Sequence, residues 1–591
     1  MSPLEIGSPS ESTGPFNRRH IVACAAVAGL AALVYLNALH NLFVYDDHRT
    51  VVENLTLQHL FDIRAISLHD ISRPMVNISY AIDEAIWGPA PFGFHVTNVL
   101  LHVLNVFLLF SVCGRLVQDR MRRTASEGIV VGHVPMTVPL TAAALFAVHP
   151  MMTEAVGYAS GRSEVLSATF LLSAFLCGRR WMLRGGTRWW ILTGGLWVAA
   201  LATKEIAVAL PPLLLCYDWL FLRGGEVDRR RNLRQLHGPL FAAALLIGTI
   251  RLAILMLVEY PGAIAVHWQY VLMECDVIRQ YVALMFVPEG QAIFHAVSPV
   301  SISDPRAFTG VGTVALIVAA AWALRRTRPL ASFGLIWFLL LLVPSSLLVV
   351  FDRGEPMAEH RVYVASCGFF LTAGAALAWL SDRFTLESRS VRFLLRAIAV
   401  MVLVSLSGRT ILRNVIWGNP VALWTEARDK APDHWLPHLL LGEAMQAADL
   451  PDEAVVEYTQ AVKLRPQETI GYQKLGACYI EMGRLDDAAA TYRSLRARDP
   501  QSTVASLGMG AVALVAGQPD RARSYFLETI ARDPRNVIAR QSLVLLAESE
   551  PGSTADALRL CQEIREIAPE TPGNEDCIRR NQSRLATPQS R

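Results

Sequence analysis

Eleven apolar runs, each about as long as a bilayer crossing, begin near residues 21, 92, 136, 164, 189, 205, 237, 308, 329, 360 and 391. No other feature limits the fold of this chain so sharply. A crossing takes roughly 20 mostly apolar residues, and hydrocarbon forces the backbone polar groups of each crossing to be satisfied within the segment, as a helix does. Composition agrees, because 53% hydrophobic and 18% charged residues leave too little charge for an ordinary soluble chain of 591 residues. The expected fold class is all-α, a polytopic membrane protein of about 11 transmembrane helices followed by a helical repeat domain.

Short basic loops favour the cytoplasm. With the N-terminus inside, eleven spans put "RLVQDRMRR" (115–123), "GRRWMLRGGTR" (178–188), "RGGEVDRRRNLR" (223–234), "RRTR" (325–328) and "SDRFTLESRSVR" (381–392) all on that side. The polar start up to His20 and the lack of a small-residue cleavage signature before Tyr45 predict an uncleaved first span. Segment 268–288 is long enough to cross but carries Glu274, Asp276 and Arg279 in its middle. It reads as an amphipathic interfacial or re-entrant helix on the outer face. The same face then receives the loop 45–91, "HPMMTEAVGYASGRSE" (149–164), the turn 203–205, "EYPG" (259–262), 351–361 and everything after about residue 411.

Beyond residue 420 the chain turns polar and a fixed period emerges. Pro432, Pro466, Pro500 and Pro534 are 34 apart, as are Gly442, Gly476 and Gly510, and Ala454, Ala488 and Ala522. A 34-residue period with a small residue where two helices pack and a Pro after the second is the tetratricopeptide signature. The expected layout is a cytoplasmic tail (1–20), a membrane domain (21–411), a half repeat (412–434), tetratricopeptide repeats (435–570) stacked as a solenoid, and a C-terminal tail (571–591). A concave groove for a peptide or protein is the functional expectation for the repeats; a plain spacer is the alternative.

The net charge of +3 with no long basic block gives no reason to expect nucleic acid. Nine cysteines without a CxxC pair or Cys/His cluster predict neither a zinc site nor a disulfide framework. No phosphate-cradling or dinucleotide glycine loop occurs.

The polar residues of the outer face carry the chemistry. Asp46 and Asp47 repel each other, so one could serve as a base while the other orients it, or both could cap a turn beside His48 and Arg49. "FHVTNVLLHVLN" puts His95, Asn98, His102 and Asn105 on one helical face. That stripe predicts either a polar cleft entering the bilayer or helix-to-helix hydrogen bonds. Glu154, Arg162 and Glu164 form a third polar group. Arg73, Lys204, Arg353, His360 and Arg361 are cations that could hold a phosphate, or snorkel and pair with carboxylates. A lipid-phosphate sugar donor explains this set, since its tail needs the bilayer, its phosphate needs cations and its sugar needs a polar pocket. Attack by an acceptor hydroxyl needs one base, and the departing phosphate needs charge stabilisation more than a proton.

"VYDDHRTVVEN", "RPMVNISYAIDEAIWG", "PFGFHVTNVLLHVLN", "FAVHPMMTEAVGYASGRSE", "KEIAVALP" and "MAEHRVYV", followed by the repeats, resemble the transmembrane and tetratricopeptide-repeat proteins over about residues 20 to 575. The resemblance implies a GT-C type membrane fold and a polyprenyl-phosphate-sugar dependent transferase linked to protein O-mannosylation. It implies Asp46 or Asp47 as the base, with Glu154, Arg162, Glu164, Lys204, His360 and Arg361 around the donor. The Ala/Arg-rich makeup suggests a bacterial inner membrane with the repeats in the periplasm and undecaprenyl phosphate as carrier. In a eukaryote the corresponding expectations are the endoplasmic reticulum membrane, lumenal repeats and dolichol. A divalent cation shared by Asp46 and Asp47 is allowed by the chemistry. The reading from another class is a non-catalytic membrane scaffold whose repeats recruit a partner.

Overall fold

The computed structural model describes residues 18–126, 136–222, 228–254, 267–350, 355–383, 389–569 and 571–586. Among them every regular element is a helix. The chain divides into two units, Met1–Leu423 and Trp424–Arg591.

In the first unit α1 (Arg18–Val34) leads through a short turn into the first loop, which holds α2 (Ile63–His69) and α3 (Pro74–Trp87). Then come α4 (Pro91–Ser126), α5 (Thr137–Val148), α6 (Thr153–Gly157), α7 (Arg162–Arg184), α8 (Thr187–Leu201), α9 (Leu210–Phe221), α10 (Arg229–Asn232) and α11 (Gly238–Ile254). The unit continues with α12 (Trp268–Phe286), α13 (Pro305–Leu324), α14 (Pro329–Val350), α15 (Val362–Arg383) and α16 (Arg389–Trp417), after which α17 (Pro420–Lys430) carries the chain onward. Local signals set the boundaries. Pro74 and Pro305 occupy first-turn positions that lack a hydrogen-bond partner in any case. Gly185 and Gly186, at φ 69° and 97°, turn α7 straight into α8 in a backbone region that side chains resist.

Each of the eleven apolar runs is helical where it is described, and among the described residues seven helices are long and apolar enough to cross a membrane. The other four are α5, α8 and α9, which are 12, 15 and 12 residues long, and α7, which carries Arg162, Glu164, Arg179, Arg180 and Arg184. The chain is a membrane protein by these spans; the figure of eleven rests on the apolar runs alone. α12 is a helix with Glu274 and Asp276 on its buried side, alongside Val277 and Tyr281. "EYPG" lies outside the described residues, as does Arg353.

Helices α4 and α7 run parallel. Asn98 meets Arg162, Asn105 meets the Val165 carbonyl, and Asp119 meets Arg179, so the pairing advances in the same direction along both. Buried side chains of α4, α5, α7, α9, α14 and α15 form the main core. The first loop builds a smaller one of its own from Val51, Leu57, Ile66, Val76, Tyr80 and Phe94, closed by Ala159.

The second unit is a stack of helix pairs: α18 (Trp435–Ala447) with α19 (Pro451–Leu464), α20 (Thr469–Glu481) with α21 (Leu485–Arg498), α22 (Thr503–Val515) with α23 (Pro519–Arg532), and α24 (Val537–Ser549) with α25 (Thr554–Ile567). The 34-residue period has a direct cause. A methyl group on Gly442 would come within 2.6 Å of the Tyr458 ring, one on Gly510 within 2.5 Å of Phe526, and Gly476 stands in the same relation to Tyr492. Each pair thus seats an aromatic ring on a glycine. In the fourth pair Val544 and Cys561 stand near those positions. The segment 571–591, expected as a tail, contains α26 (Asn574–Ala586), which covers the last pair. The cysteine spacing predicts no disulfide, yet Cys561 is bonded to Cys577, because α25 and α26 fold back and bring together two residues 16 apart.

Candidate active site

The acidic doublet sits where α1 and its terminal turn give way to the first loop. Tyr45, just before it, adopts φ 50°, a left-handed conformation that costs a bulky residue strain and that surrounding contacts must hold. The doublet's two members face different surroundings. Asp47 is fully buried. Its Oδ1 accepts the backbone N–H of Ser160 at 2.7 Å and the Ser160 hydroxyl at 2.6 Å, and its Oδ2 accepts the Val44 N–H at 3.1 Å. Burial pushes its carboxyl up to about 7, against the opposing pull of those hydrogen bonds. Asp46 is half-buried, its backbone N–H donates to the Tyr158 hydroxyl at 3.0 Å, and among the described residues nothing pairs with its carboxylate. Both Asp47 oxygens are engaged by protein donors, two at Oδ1 and one at Oδ2. Among the described residues no three His, Cys, Asp or Glu side chains gather as a metal site.

The segment that receives Asp47 is folded tightly. α6 and the turn after it bring Gly161 so close to the chain that a Cβ there would lie 2.5 Å from the Ala155 carbonyl oxygen. The Gly157 carbonyl accepts from Asn41 at 2.7 Å, so this hairpin and the start of the first loop are tied twice.

Glu355 lies within electrostatic reach of Asp46, and Glu154 within reach of Glu355. Glu355 is raised to about 8 by burial first, then by the charges of Glu154 and Asp46, with Arg361 and His295 pulling the other way. Glu154 is likewise raised, by burial and the neighbouring Glu359. It accepts the His360 backbone N–H at 3.1 Å and bonds His360 Nδ1 at 2.7 Å. Glu359 in turn is held by Gln291 at 2.6 Å, the Ala292 N–H at 2.8 Å and His295 at 3.1 Å.

The cations collect beside this acidic group. Arg73, Lys204 and Arg361 all lie within electrostatic reach of the half-buried Glu205, and Arg73, Lys204, Arg361 and Glu164 within reach of His360. The Met75 N–H donates to the Ala202 carbonyl at 3.1 Å, which fastens the start of α3 to the turn that bears Lys204. Their commitments differ. Lys204 is paired with Glu164 at 2.5 Å, deep inside. Arg361 donates to the Pro356 carbonyl at 3.2 Å and, among the described residues, forms no ion pair; the Arg73 guanidinium has neither a hydrogen bond nor an ion pair there. Two guanidinium groups are therefore available to an anion.

Other expected residues belong to the framework. Arg162, 0% exposed, donates to Asp83 at 2.6 Å, the Phe94 carbonyl at 2.8 Å, Ser79 at 3.2 Å and Asn98, and covers the Tyr80 ring. Its donors are spent on α3 and α4. Three members of the α4 stripe are hydrogen-bonded within the unit: Asn98 donates to the Tyr158 carbonyl at 2.8 Å, His102 bonds the Tyr363 hydroxyl at 2.8 Å and Asn105 donates to the Val165 carbonyl, while His95 is buried beside them. These are the helix-to-helix bonds that make a polar stripe affordable in a membrane. Sequence reasoning passed over Ser160, Asp83, Gln291, His295 and the separate position of Glu355. Asp83 had a signal, since it follows Val76 and Tyr80 at i+7 and i+3 on the face that α3 buries.

A family model described as "Tetratricopeptide repeat" matches residues 447–508 and 479–547. The chain is 35% identical over 213 residues to "Protein O-mannosyl-transferase Tmtc1" of Drosophila melanogaster, covering 34% of this chain and 23% of that protein. Over 567 residues it is 24% identical to "Protein O-mannosyl-transferase Tmtc3" of the same organism, covering 82% and 60%. With "Protein O-mannosyl-transferase TMTC3" of Mus musculus it shares 22% over 511 residues, covering 78% and 53%. The chain spans less than two thirds of the length of each of these relatives. These curated homologues, each named a protein O-mannosyl-transferase, match the chain over as much as 82% of its length.

Proposed function

We propose that this protein is a membrane glycosyltransferase that moves a sugar, mannose or another hexose, from a polyprenyl-phosphate donor to a Ser or Thr hydroxyl of a protein. The reaction belongs on the extracytoplasmic side, and the repeats bind the acceptor chain. One observation carries the reading: among the described residues the Asp46 carboxylate and the Arg73 and Arg361 guanidinium groups form no ion pair, while Asp46 and Arg361 both act on Glu355 and Arg361 and Arg73 both act on His360, which bonds Glu154. Asp46 takes the acceptor proton as the hydroxyl oxygen attacks the anomeric carbon. The bond from that carbon to the phosphate oxygen breaks, and the electron pair leaves with the phosphate, whose charge Arg73 and Arg361 stabilise. A single displacement of this kind inverts the anomeric centre. Glu355, neutral below about pH 8, can donate a hydrogen bond to the sugar or phosphate. Asp47 acts through the backbone, by fixing the turn from which Asp46 projects. The names of the relatives, all protein O-mannosyl-transferases, support mannose as the first sugar to test.

The test is transfer by the full-length detergent-solubilised protein, supplied with labelled polyprenyl-phosphate sugars and envelope-protein extract. Label entering protein with the wild type and not with Asp46→Asn supports the reading. Failure with every donor, together with envelope-protein binding that survives in Asp46→Asn, would instead favour a scaffold.

A further inference from the structure

A second charged site lies at the other end of α4 and α7. A cavity of about 370 Å³ is lined by Arg115, Arg122, Arg179, Arg180, Arg184 and Trp189, with Phe107 and Leu176 on its wall. Such a volume falls in the range of small-ligand sites, about 300–1,000 Å³. We propose that this cavity binds the phosphate headgroup of an anionic glycerophospholipid.

Its position points to a lipid. Asn98, which bonds Arg162 at the candidate active site, and Asp119, which bonds Arg179 here, are 21 residues apart on α4, about 32 Å along a helix axis. That distance is close to the thickness of a bilayer's hydrocarbon core, about 30 Å. The cavity therefore sits at the opposite membrane boundary from Asp46, where phospholipid phosphates lie.

The charge balance points to an anion. Among the described residues no acid lines the cavity, and Asp119 behind it is spent: Arg179 binds it through both Nε and Nη2 at 2.6 Å, and the Tyr217 hydroxyl adds a third bond at 2.7 Å. Among the described residues no carboxylate pairs with Arg122, Arg180 or Arg184. The buried Nε of Arg180 has no hydrogen-bond acceptor, while its guanidinium is held over the Trp189 ring at 4.4 Å. A cation held over an aromatic ring and free of any carboxylate keeps its remaining guanidinium donors for a phosphate oxygen. Basic loops at this boundary would arise from topology alone, but topology does not require that they wall a cavity.

The apolar wall separates a lipid from a free phosphate. Phe107 lies eight residues before Arg115 on α4, about two turns toward the membrane centre, and is 50% exposed. It offers a surface for the first methylenes of an acyl chain. Basic pockets between membrane helices recognise anionic headgroups in this manner.

The experiment is native mass spectrometry of the full-length protein in mild detergent, titrated with phosphatidylglycerol, with phosphatidylethanolamine, and with soluble glycerol 3-phosphate as competitor. Arg122→Gln/Arg184→Gln removes two exposed cations of the site, and Arg326→Gln, in a different basic turn, controls for general charge. The expected result is retention of phosphatidylglycerol about tenfold better than phosphatidylethanolamine, lost in the double variant and kept in Arg326→Gln. Equal retention of the two lipids by the wild type would overturn the proposal and does not depend on any variant folding. So would unchanged retention in the double variant, or displacement of phosphatidylglycerol by glycerol 3-phosphate, which would make this a free-phosphate site.

Discussion

Asp47 and Ser160, 113 residues apart, are joined by two hydrogen bonds to one carboxylate oxygen, from the Ser160 N–H and from its hydroxyl. This clamp fixes the strained turn at Tyr45 against the hairpin after α6. Ser160→Ala leaves one donor and Asp47→Asn leaves the Val44 N–H without its acceptor. Each should lower stability by about 1–3 kcal/mol, the cost of an unsatisfied buried group, read as a drop in the thermal unfolding midpoint.

Asp46→Asn should do the reverse. Its carboxylate has no partner to lose, so the unfolding midpoint should stay within error of the wild type. Sugar transfer should fall about 10²- to 10⁴-fold, the usual size of a lost general base. Retained transfer with a normal fold would remove Asp46 from its role.

The raised carboxyls of Asp47 and Glu355 give stability a pH slope. A carboxyl whose folded value lies above its ordinary one binds its proton more tightly when folded. Its contribution is full below about pH 4 and is lost as pH climbs through about 7 for Asp47 and about 8 for Glu355. The unfolding midpoint should therefore decline from pH 5 to pH 8, and the decline should be shallower in Asp47→Asn. A parallel decline in that variant would show that Asp47 is not the source.

Arg73→Gln and Arg361→Gln should leave the fold intact and raise the KM for the polyprenyl-phosphate donor about tenfold or lower kcat. Arg162→Gln should behave differently. It strands Asp83 in the interior, and breaking a buried pair costs about 3–5 kcal/mol. Loss of solubilised protein, ahead of any kinetic effect, is the expected readout. A soluble Arg162→Gln protein with a changed donor KM would move Arg162 into the binding site.

In the repeats, Gly442→Val should push the Tyr458 ring off its seat and lower stability by about 1–3 kcal/mol, as overpacking does. Adding Tyr458→Leu should recover part of the loss, measured by denaturant unfolding of the full-length protein.

The readable part of this architecture was written in periods. A run of about 20 apolar residues or a glycine every 34 is a local pattern, so helices and repeats followed from it directly. The site was harder, because its geometry depends on which charged groups pair. Arg73, Lys204, Arg361 and Arg162 look alike as outer-face cations, yet Lys204 is spent on Glu164 and Arg162 on Asp83, and that accounting exists only in three dimensions. The same holds for the α4 stripe, whose cleft and helix-packing readings differ only in what stands opposite each side chain. Cys561 and Cys577 gave no spacing signal because the fold of α26, not the sequence interval, brings them together.

The parallel pair α4 and α7 is fastened near both ends, by Arg162 to Asn98 and by Arg179 to Asp119. Two struts bolted at top and bottom cannot slide past one another, so the pair behaves as a gauge of fixed length. Any movement within the first unit has therefore to carry α4 and α7 together, as one body.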